Sequence, residues 1–527
     1  MSSGAPARRA RTFGAALTVL LTACPSPPPV TPPPAEQPQS GGVLRVAVRG
    51  VGSLDPVRAT STGPLAIATQ IFEPLTRLDP ATGKLLPGAA RRWSVSKDGR
   101  TWRFVLGDSR FHDGSRVRAR DFEAAFDRLT RFATKSDIAY QLEPVRGFTA
   151  AKVDGLATTL AGVSARRKDL LVIALDQPFA ELPMMLTHPA LGPLHPKYVR
   201  SAKTLATKPI GNGPFRVRTA SPSRVVLTRN TRYDPAPYLD GIEFFVFDTV
   251  DAGWNAFRGH NVDVAEVPPS AVGTVDLDPA TGFTPLWASF YFGPNLKLAK
   301  YKDPAVRRAI SLAIDREAIA RDLYADTRDP ATGILPRGIR GYVPEACGAC
   351  VADRDRARQL LRSVYRKKKP PPIRIDFFRE RSTSAVAESV AADLRTIGFR
   401  VSLRGYNERR YNNLLDDGRH DFAQLAWLAQ VPTPDGFLAQ QLKTGSRNNT
   451  TGYRDRTFDA LLAKARRQPD EDRRLRLYHD AEERALQRLP LIPIIFFRNR
   501  QAIVPAVRGF ALSGAGVFDG RAVWLTT

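Results

Sequence analysis

The sequence predicts an α/β protein with more than one lobe, and three observations support this prediction. The chain has 527 residues, which is more than one hydrophobic core normally organises. Its apolar content of 43% is typical of a globular protein. Residues 373–378, 382–397 and 399–403 read as strand, helix and strand, and Gly398 follows the helix where left-handed backbone is favoured. Such a unit predicts a parallel sheet with a right-handed crossover.

The first segment of the chain has the layout of an export signal. Three arginines precede an uncharged stretch over residues 12–23, which is shorter than the roughly 20 apolar residues of a membrane span. The four residues that end at Cys24 resemble a bacterial lipobox. This resemblance implies that residues 1–23 are removed and that Cys24 becomes the lipidated first residue. An ordinary signal peptide with a cysteine nearby is the alternative.

Residues 24–40 are expected to form a tether. Eight of the 14 residues from Pro25 to Pro38 are proline, and such a run favours an extended polyproline II conformation. No later stretch is apolar enough to span a membrane. We therefore expect the body, from about Gly41, to lie at the cell envelope, anchored to the membrane by lipid and facing the periplasm or the exterior.

The formal net charge of +26 favours attraction to anionic surfaces or ligands. The basic residues are spread along the chain, however, and the one dense run, residues 366–369, is followed by three prolines as in a solvated linker. We therefore predict that nucleic acid is not a partner.

Cys347 and Cys350 are the two cysteines left if Cys24 carries lipid. We predict a small local disulfide, with a redox site or half of a zinc site as alternatives. A zinc ribbon needs a second cysteine pair. A redox motif normally opens a helix after a strand, whereas this pair follows the loop-like residues 341–344.

The remaining elements follow from residue periodicity and turn chemistry. Asp303 and Pro304 have the preferred order of a helix cap and a first helical residue, and they predict a helix that runs to about Tyr324. The predicted strands are 43–48, 92–95, 101–106, 224–227, 242–247, 420–427 and 491–497, and the other predicted helices are 64–75, 119–132, 458–467 and 471–487.

No catalytic motif is evident in the sequence. It lacks His-Glu-x-x-His, Gly-x-Ser-x-Gly and P-loop patterns. Gly211-Asn212-Gly213 lacks the third glycine of a dinucleotide loop, and the following Pro214 blocks a helix start. The six histidines are scattered. We therefore predict no catalytic residues, no metal, no cofactor and no enzymatic activity.

Short segments spread over residues 41–520 resemble, in the same order, those of the extracellular solute-binding proteins of peptide-type ABC transporters. This is the oligopeptide/dipeptide-binding family, solute-binding protein family 5. Each segment alone is weak evidence of relationship, and the resemblance rests on their shared order. They are 42–46, 53–56, 71–75, 86–90 with Trp93, 96–99, 111–114, 119–122, 211–215, 238–242, 306–310 and 314–316.

The resemblance implies a type II periplasmic-binding-protein fold, in which two α/β lobes joined by a hinge close over a ligand beside an extra subdomain. Lobe I would comprise residues 41–85, 205–285 and 491–527, subdomain II residues 86–204, and lobe III residues 286–490. The partners implied are a peptide or another small solute and the permease subunits of an importer, and we expect a monomer.

Peptide-binding members of this family carry Trp-x-x-Asp after the third strand of lobe III, and the aspartate pairs the α-ammonium group of the peptide. Here Trp427 matches the tryptophan, and Gln430 stands where the aspartate is expected. A neutral amide cannot neutralise an ammonium ion, and a buried unpaired charge costs several kcal/mol. The departure argues against recognition of a free peptide N-terminus, unless Asp435 or Glu73 supplies the charge.

Two further candidate ligand contacts are Thr433, in the same loop, and Asn295, where family members have a strand lining the cleft. Each candidate also has a structural interpretation. Trp427 and the aromatic neighbours of Asn295 fit core positions, Gln430 and Thr433 fit polar loop positions, and Glu73 fits a turn cap before a proline.

The leading hypothesis is a lipid-anchored receptor that captures a solute and delivers it to a permease. The alternatives are an envelope sensor or interaction protein that reuses the fold without a transporter, and a secreted hydrolase. The ligand stays open among peptides, nickel complexes, opines and oligosaccharides.

Overall fold

A computed structural model describes residues 36–275, 277, 282–366 and 368–526 of the chain. Residues 38–527 form one compact unit, and all elements given below belong to it. Of the preceding unit, residues 1–37, only Glu36 and Gln37 are described, so the signal and lipidation predictions at residues 1–24 lie outside the described residues. Within the described ranges, no helix has both the length and the apolar character needed to cross a bilayer.

The lobe I sheet has six strands and a parallel centre. Val43–Arg49 lies between Gly241–Phe247 and Val264–Glu266 and is parallel to both. Alternate buried residues such as Leu44 and Val46 give this strand one core-facing side. The strand order across the sheet is Gln501–Ile503, Val264–Glu266, Val43–Arg49, Gly241–Phe247, Arg224–Arg229, Phe215–Ala220.

Subdomain II is a four-stranded antiparallel sheet covered by one helix. Ala119–Thr130 places Phe122, Phe126 and Leu129 in the core at helical spacing, and all three are fully buried. The four strands, in sheet order, are Ala90–Val95, Thr101–Leu106, Leu170–Ala174, Val163–Arg167. Arg128 joins this subdomain to lobe I through a hydrogen bond of 3.0 Å from Nη1 to Oδ1 of Asp55.

The lobe III sheet contains the predicted strand–helix–strand unit. Ile373–Phe378 is parallel to Val401–Tyr406, and the helix Arg381–Thr396 connects them. Gly398 follows that helix with a φ of +103°, which confirms its role after the helix end. The strand order is Asp329–Pro330, Ile492–Arg498, Pro285–Pro294, Phe422–Leu428, Ile373–Phe378, Val401–Tyr406.

The strand Ile492–Arg498 pairs in the same sheet as Pro285–Pro294, whereas the boundary expected at residue 491 assigns it to lobe I. It pairs antiparallel with Pro285–Pro294, which inserts it into the lobe III sheet. The chain then reaches the lobe I sheet at Gln501–Ile503. We therefore propose that the last lobe I segment begins at residues 499–500, because the strand's backbone hydrogen bonds are made in lobe III.

The C-terminal tail returns to lobe I and is held there by one buried amide. Gln70 donates from Nε2 to the carbonyl of Phe518 at 2.9 Å, and its Oε1 accepts the N–H of Gly520 at 3.0 Å. Two ribbons complete the β structure: Thr76–Leu78 with Leu85–Pro87, and Val507–Arg508 with Trp524–Leu525.

The helix predicted over residues 303–324 is interrupted. Asp303 caps it as expected, accepting the N–H of Ala305 at 2.8 Å, but Pro304–Ala313 ends at an extended residue, Ile314. The buried guanidinium of Arg316 takes the carbonyls of Ser311 and Ile314, at 3.0 and 3.2 Å, which would otherwise continue the helix.

The remaining helical bounds follow from the same local rules. The longer helices are Thr62–Ile71, Val250–Arg258, Arg354–Tyr365, Glu408–Asp416, Asp435–Leu442, Arg456–Arg467, Glu471–Arg488. The shorter helical segments are Pro56–Arg58, Phe132–Thr134, Asp137–Leu142, Thr149–Val153, Leu182–Met185, Pro189–Leu191, Lys197–Arg200, Lys203–Ala206, Pro269–Thr274, Ala299–Tyr301, Arg316–Ala318, Ile319–Leu323, Gly348–Cys350.

Cys347 and Cys350 are bonded to each other, with an S–S distance of 2.11 Å. Both are buried, and the carbonyl of Cys350 accepts a hydrogen bond of 2.8 Å from Nη1 of Arg316. The pair therefore lies in the packing around the interrupted helix, away from the cavities described next.

Candidate functional site

Two cavities share Gln430 in their walls. The first, called here the small cavity, has a volume of about 90 Å³ and is lined mainly by lobe I, with residues 187–189 of subdomain II and Trp287 of lobe III. The second, called here the large cleft, has a volume of about 730 Å³ and lies between subdomain II and lobe III. Its volume falls in the range that holds small-molecule ligands.

Gln430 is one of two described residues of the large cleft, with Tyr140, that have a buried side-chain oxygen without a hydrogen-bond partner. Its side chain is buried, at 8% exposure, and no donor in the described part of the chain reaches its Oε1. A buried oxygen without a donor is costly, so a ligand that donates a hydrogen bond there recovers that cost. The position expected to carry an aspartate thus bears a neutral, buried acceptor without a partner.

Trp427 forms part of the wall of the large cleft. It sits near the end of the strand Phe422–Leu428, and its indole N–H donates to the carbonyl of Gly436 at 2.8 Å. The ring lies 6.3 Å from that of Tyr140, which comes from subdomain II. The hydrogen bond fixes the indole while its partly exposed face stays available for contact with a ligand.

Glu73 lines the small cavity, and its carboxylate is already paired with residues of lobe I. Tyr233 donates a short hydrogen bond to Oε1, and Nη1 of Arg521 lies 3.4 Å from the same oxygen. Burial raises the pKa of Glu73, an effect that Arg521 and Tyr233 oppose. The cavity's lining holds two acids and two arginines, with Asp519 and Arg77 as the second pair. This balance leaves no spare negative charge for an ammonium group.

Asp435 is also paired and does not face either cavity. Arg466 binds it with two hydrogen bonds, of 2.7 and 2.9 Å, and the hydroxyl oxygen of Tyr478 lies 3.2 Å from Oδ1. Its side chain is only 1% exposed. Neither carboxylate proposed to replace the missing aspartate is therefore free to do so.

Arg466 also joins lobe III to subdomain II. Its Nη1 donates to Oε2 of Glu143 at 2.9 Å, and Lys443 reaches Oε1 of the same residue at 2.8 Å. Burial would raise the pKa of Glu143, but the charges of Arg466 and Lys443 outweigh it and hold that pKa low. We refer to Glu143, Asp435, Lys443 and Arg466 as the interlobe ion cluster.

Glu181 provides a second link between the same two lobes. Its Oε2 accepts a hydrogen bond of 2.9 Å from Tyr478, and Arg474 lies 3.6 Å from its Oε1. Burial, reinforced by the charge of Asp435 and opposed by Arg474, raises the pKa of Glu181 to about 7. The carboxyl therefore titrates near neutral pH.

Replacing Glu181 with glutamine should remove a pH dependence of stability. With a pKa of about 7 in the folded protein against an ordinary 4.5, folding retains a proton between these values, so stability falls as pH rises from 4.5 to 7. At 1.36 kcal/mol per unit, this loss is up to about 3 kcal/mol. Urea unfolding between pH 4.5 and 8 should show a flatter profile for Glu181→Gln. The exposed Glu388→Gln serves as the control, and parallel profiles for wild type and Glu181→Gln would contradict the assignment.

Thr433 and Asn295 are placed in structural roles. Thr433 is buried, and its Oγ1 accepts the N–H of Gly436 at 3.3 Å. Asn295 donates two hydrogen bonds of 2.9 Å, to the carbonyls of Gly418 and His420. Neither residue lines the small cavity or the large cleft. We therefore no longer assign either one to ligand contact, because their polar atoms are used by the loops they stabilise.

Several residues of the site carry no recognisable sequence signal. Glu143 and Arg466 are 323 positions apart, and Tyr140 meets Trp427 only through the packing of two lobes. Among the described residues, no group of three or more His, Cys, Asp or Glu side chains is arranged to hold a metal ion. The arrangement is that of a pocket with an aromatic wall, one neutral amide with a buried unpartnered oxygen, and three carboxylates, Glu73, Glu143 and Asp435, that are held in ion pairs.

Comparisons with known proteins identify the family and the fold. Residues 84–449 match the model of the bacterial extracellular solute-binding proteins, family 5 Middle. Two curated relatives come from Escherichia coli K12. The probable deoxycholate-binding periplasmic protein YgiS is 26% identical over 478 residues, covering 88% of this chain and 89% of that protein. The periplasmic murein peptide-binding protein MppA is 26% identical over 480 residues, covering 88% of each.

The solved structure of E. coli MppA shows the same fold, with a TM-score of 0.78 and 24% identity, and the alignment covers 93% of this chain and 99% of that one. The fold class expected from the resemblance is thus confirmed. With the family model matching more than half of its length, the chain belongs to the bacterial extracellular solute-binding proteins of family 5.

Proposed function

We propose that this protein is the lipid-anchored substrate-binding component of an ABC importer, which captures a peptide or a similar small solute between its lobes and delivers it to a permease. The observation that carries the proposal is the unpartnered Oε1 of Gln430 in a wall shared by both cavities. The ion pairs between subdomain II and lobe III fit a clamp whose lobes close on a ligand.

The relatives set the range of solutes. MppA is named for murein peptides and YgiS for deoxycholate, so we include both peptides and non-peptide organic acids among the candidates. The aromatic wall formed by Trp427 and Tyr140 suits an apolar or flat portion of either class.

Native mass spectrometry of the full chain, purified from its own cell envelope, tests this function. We expect a complex with one small molecule per chain, and release under denaturing conditions should return that molecule chemically unchanged. A chemically altered product would favour a hydrolase. Absence of any bound solute, together with no binding in a screen of peptides and organic acids, would contradict the proposal.

The anchor is tested through Cys24. Cys24→Ser should abolish incorporation of radiolabelled palmitate and release the full chain from the membrane fraction, because a lipid attached at that thiol is the proposed anchor. A Pro25→Ala variant provides the control, since it leaves the cysteine in place. Continued membrane attachment of Cys24→Ser without label would show that a different feature holds the protein.

A further inference from the structure

The large cleft carries an excess of positive charge, and from it we infer that the solute bound by this protein is an organic acid that presents a carboxylate and no free ammonium group. This inference rests on the proposed function and specifies its ligand. It combines the charges that line the cleft with the neutral amide at Gln430.

The charged side chains around the large cleft are unequal in number. Four are cationic and two are anionic: Lys152, Lys443, Arg447 and Arg466 against Asp137 and Glu143. In such a concave, partly buried surface, an uncompensated charge attracts the opposite sign more strongly than it would in open solvent.

The interlobe ion cluster satisfies two of these cations. Arg466 is shared between Asp435 and Glu143, and Lys443 is bound to Glu143 at 2.8 Å. Both acids of the cluster are thereby taken up as well. The cluster therefore has no unpaired negative charge that would attract a ligand ammonium group. For the same reason, Asp435 cannot replace the aspartate that is missing at position 430.

Lys152 and Arg447 remain without a partner. Among the residues that the structure describes, neither side chain makes a hydrogen bond or an ion pair, and the exposed Asp137 is the one other acid in the lining. Lys152 is half-buried on a short helical segment of subdomain II, and Arg447 is exposed on lobe III. The two cations thus approach the cleft from opposite lobes, where one anionic group could bridge them on closure.

The charges around Lys152 support an anion-binding position between Lys152 and Arg447. Burial lowers the pKa of Lys152, the charge of Arg447 lowers it further, and Asp137 offsets these effects only in part. A ligand carboxylate placed between Lys152 and Arg447 would relieve the repulsion. The same carboxylate would gain charge-assisted hydrogen bonds, which are stronger than neutral ones.

Gln430 indicates which chemical group the ligand carries at its other end. Its buried Oε1 calls for a hydrogen-bond donor, and a neutral amide N–H or hydroxyl provides one without introducing a net charge. An ammonium group at this place would face a neutral amide, because Asp435 and Glu73 are already paired. Among the described residues, the unpaired acid of the large cleft, Asp137, is exposed and acts electrostatically on Lys152. The inferred ligand therefore has a neutral donor at Gln430 and a carboxylate near Lys152 and Arg447.

Isothermal titration calorimetry with four forms of trialanine tests the inference. The forms are the free peptide, the N-acetyl acid, the C-terminal amide, and the N-acetyl amide, so that the two charges vary independently on one backbone. We expect the N-acetyl acid to bind about tenfold or more tighter than both amides, a difference expected when one charged contact is gained. Sodium deoxycholate forms a second arm, as a carboxylate without a peptide bond.

Two double variants separate a local from a general charge effect. Lys152→Gln with Arg447→Gln should remove the preference for the acid, to within about threefold, since the two unpaired cations are gone. Arg166→Gln with Lys168→Gln removes the same charge from exposed positions of subdomain II and should leave the preference intact. Circular dichroism melting confirms that both variants are folded.

The outcomes are distinguishable. Preference for the N-acetyl acid or for deoxycholate, lost only in the cleft variant, supports the inference, and deoxycholate alone would narrow the class to non-peptide acids. Equal binding of all peptide forms, or preference for those with a free ammonium, overturns it while leaving solute binding in place. Binding of no probe, with no co-purified solute, would overturn the proposed function and the inference with it.

Discussion

Replacing Arg466 with methionine is expected to lower the free energy of unfolding by about 3–5 kcal/mol, the cost of leaving a buried charge without its partner. Arg466 holds Asp435 with two hydrogen bonds, and the aspartate is 1% exposed. The same change removes one of the two cations that bind Glu143. Chemical denaturation monitored by circular dichroism measures the loss.

A neighbouring variant and a rescue distinguish this mechanism from simple loss of packing. Lys464 is exposed on the same helix, so Lys464→Gln should change stability by less than about 0.5 kcal/mol. Adding Asp435→Asn to Arg466→Met removes the unpaired charge and should recover part of the stability. If the double variant is no more stable than Arg466→Met, the loss does not come from the uncompensated aspartate.

Replacing Gln430 with aspartate should give the protein affinity for free peptide N-termini. The new carboxylate would lie in the wall of both cavities and pair an ammonium group, where a close buried ion pair is worth a factor of about ten to a hundred in affinity. Calorimetry should therefore show trialanine amide, the form that carries only the ammonium charge, binding Gln430→Asp more tightly than wild type by that factor.

Gln430→Asn is the matched control because asparagine and aspartate have the same shape and differ in charge. It should bind trialanine amide no better than wild type. Without ligand, Gln430→Asp should be less stable than Gln430→Asn at neutral pH, since it buries a charge without an assigned partner. Equal affinity of the two variants for trialanine amide would show that position 430 does not contact the ligand's amino end.

The fold could be predicted from the sequence where the local residue pattern determines which strands pair. The unit Ile373–Phe378, Arg381–Thr396, Val401–Tyr406 follows from strand and helix periodicity with a glycine at the helix end. The strand Ile492–Arg498 was identified as buried, but an apolar run does not reveal which sheet receives it, and it pairs in lobe III. The helix after Asp303 was overextended because apolar spacing continues past Ile314, where Arg316 takes the free carbonyls.

Residues of the site could be predicted from the sequence only at the positions that match the family's Trp-x-x-Asp motif. Trp427 and Gln430 line the large cleft, as the segment after the third lobe III strand implied. The pairing of Asp435 with Arg466 and of Glu73 with Arg521 depends on contacts between residues 31 and 448 positions apart. No sequence spacing encodes such pairings, so whether a carboxylate is free for a ligand could be decided only from the structure.

A crystal structure of the protein with its co-purified solute tests the central claim most directly. We expect one intact molecule between the lobes, with a neutral donor on Oε1 of Gln430, its flat or apolar part against Trp427, and a carboxylate between Lys152 and Arg447. An ammonium group facing Gln430, or a solute bound away from both cavities, would contradict it.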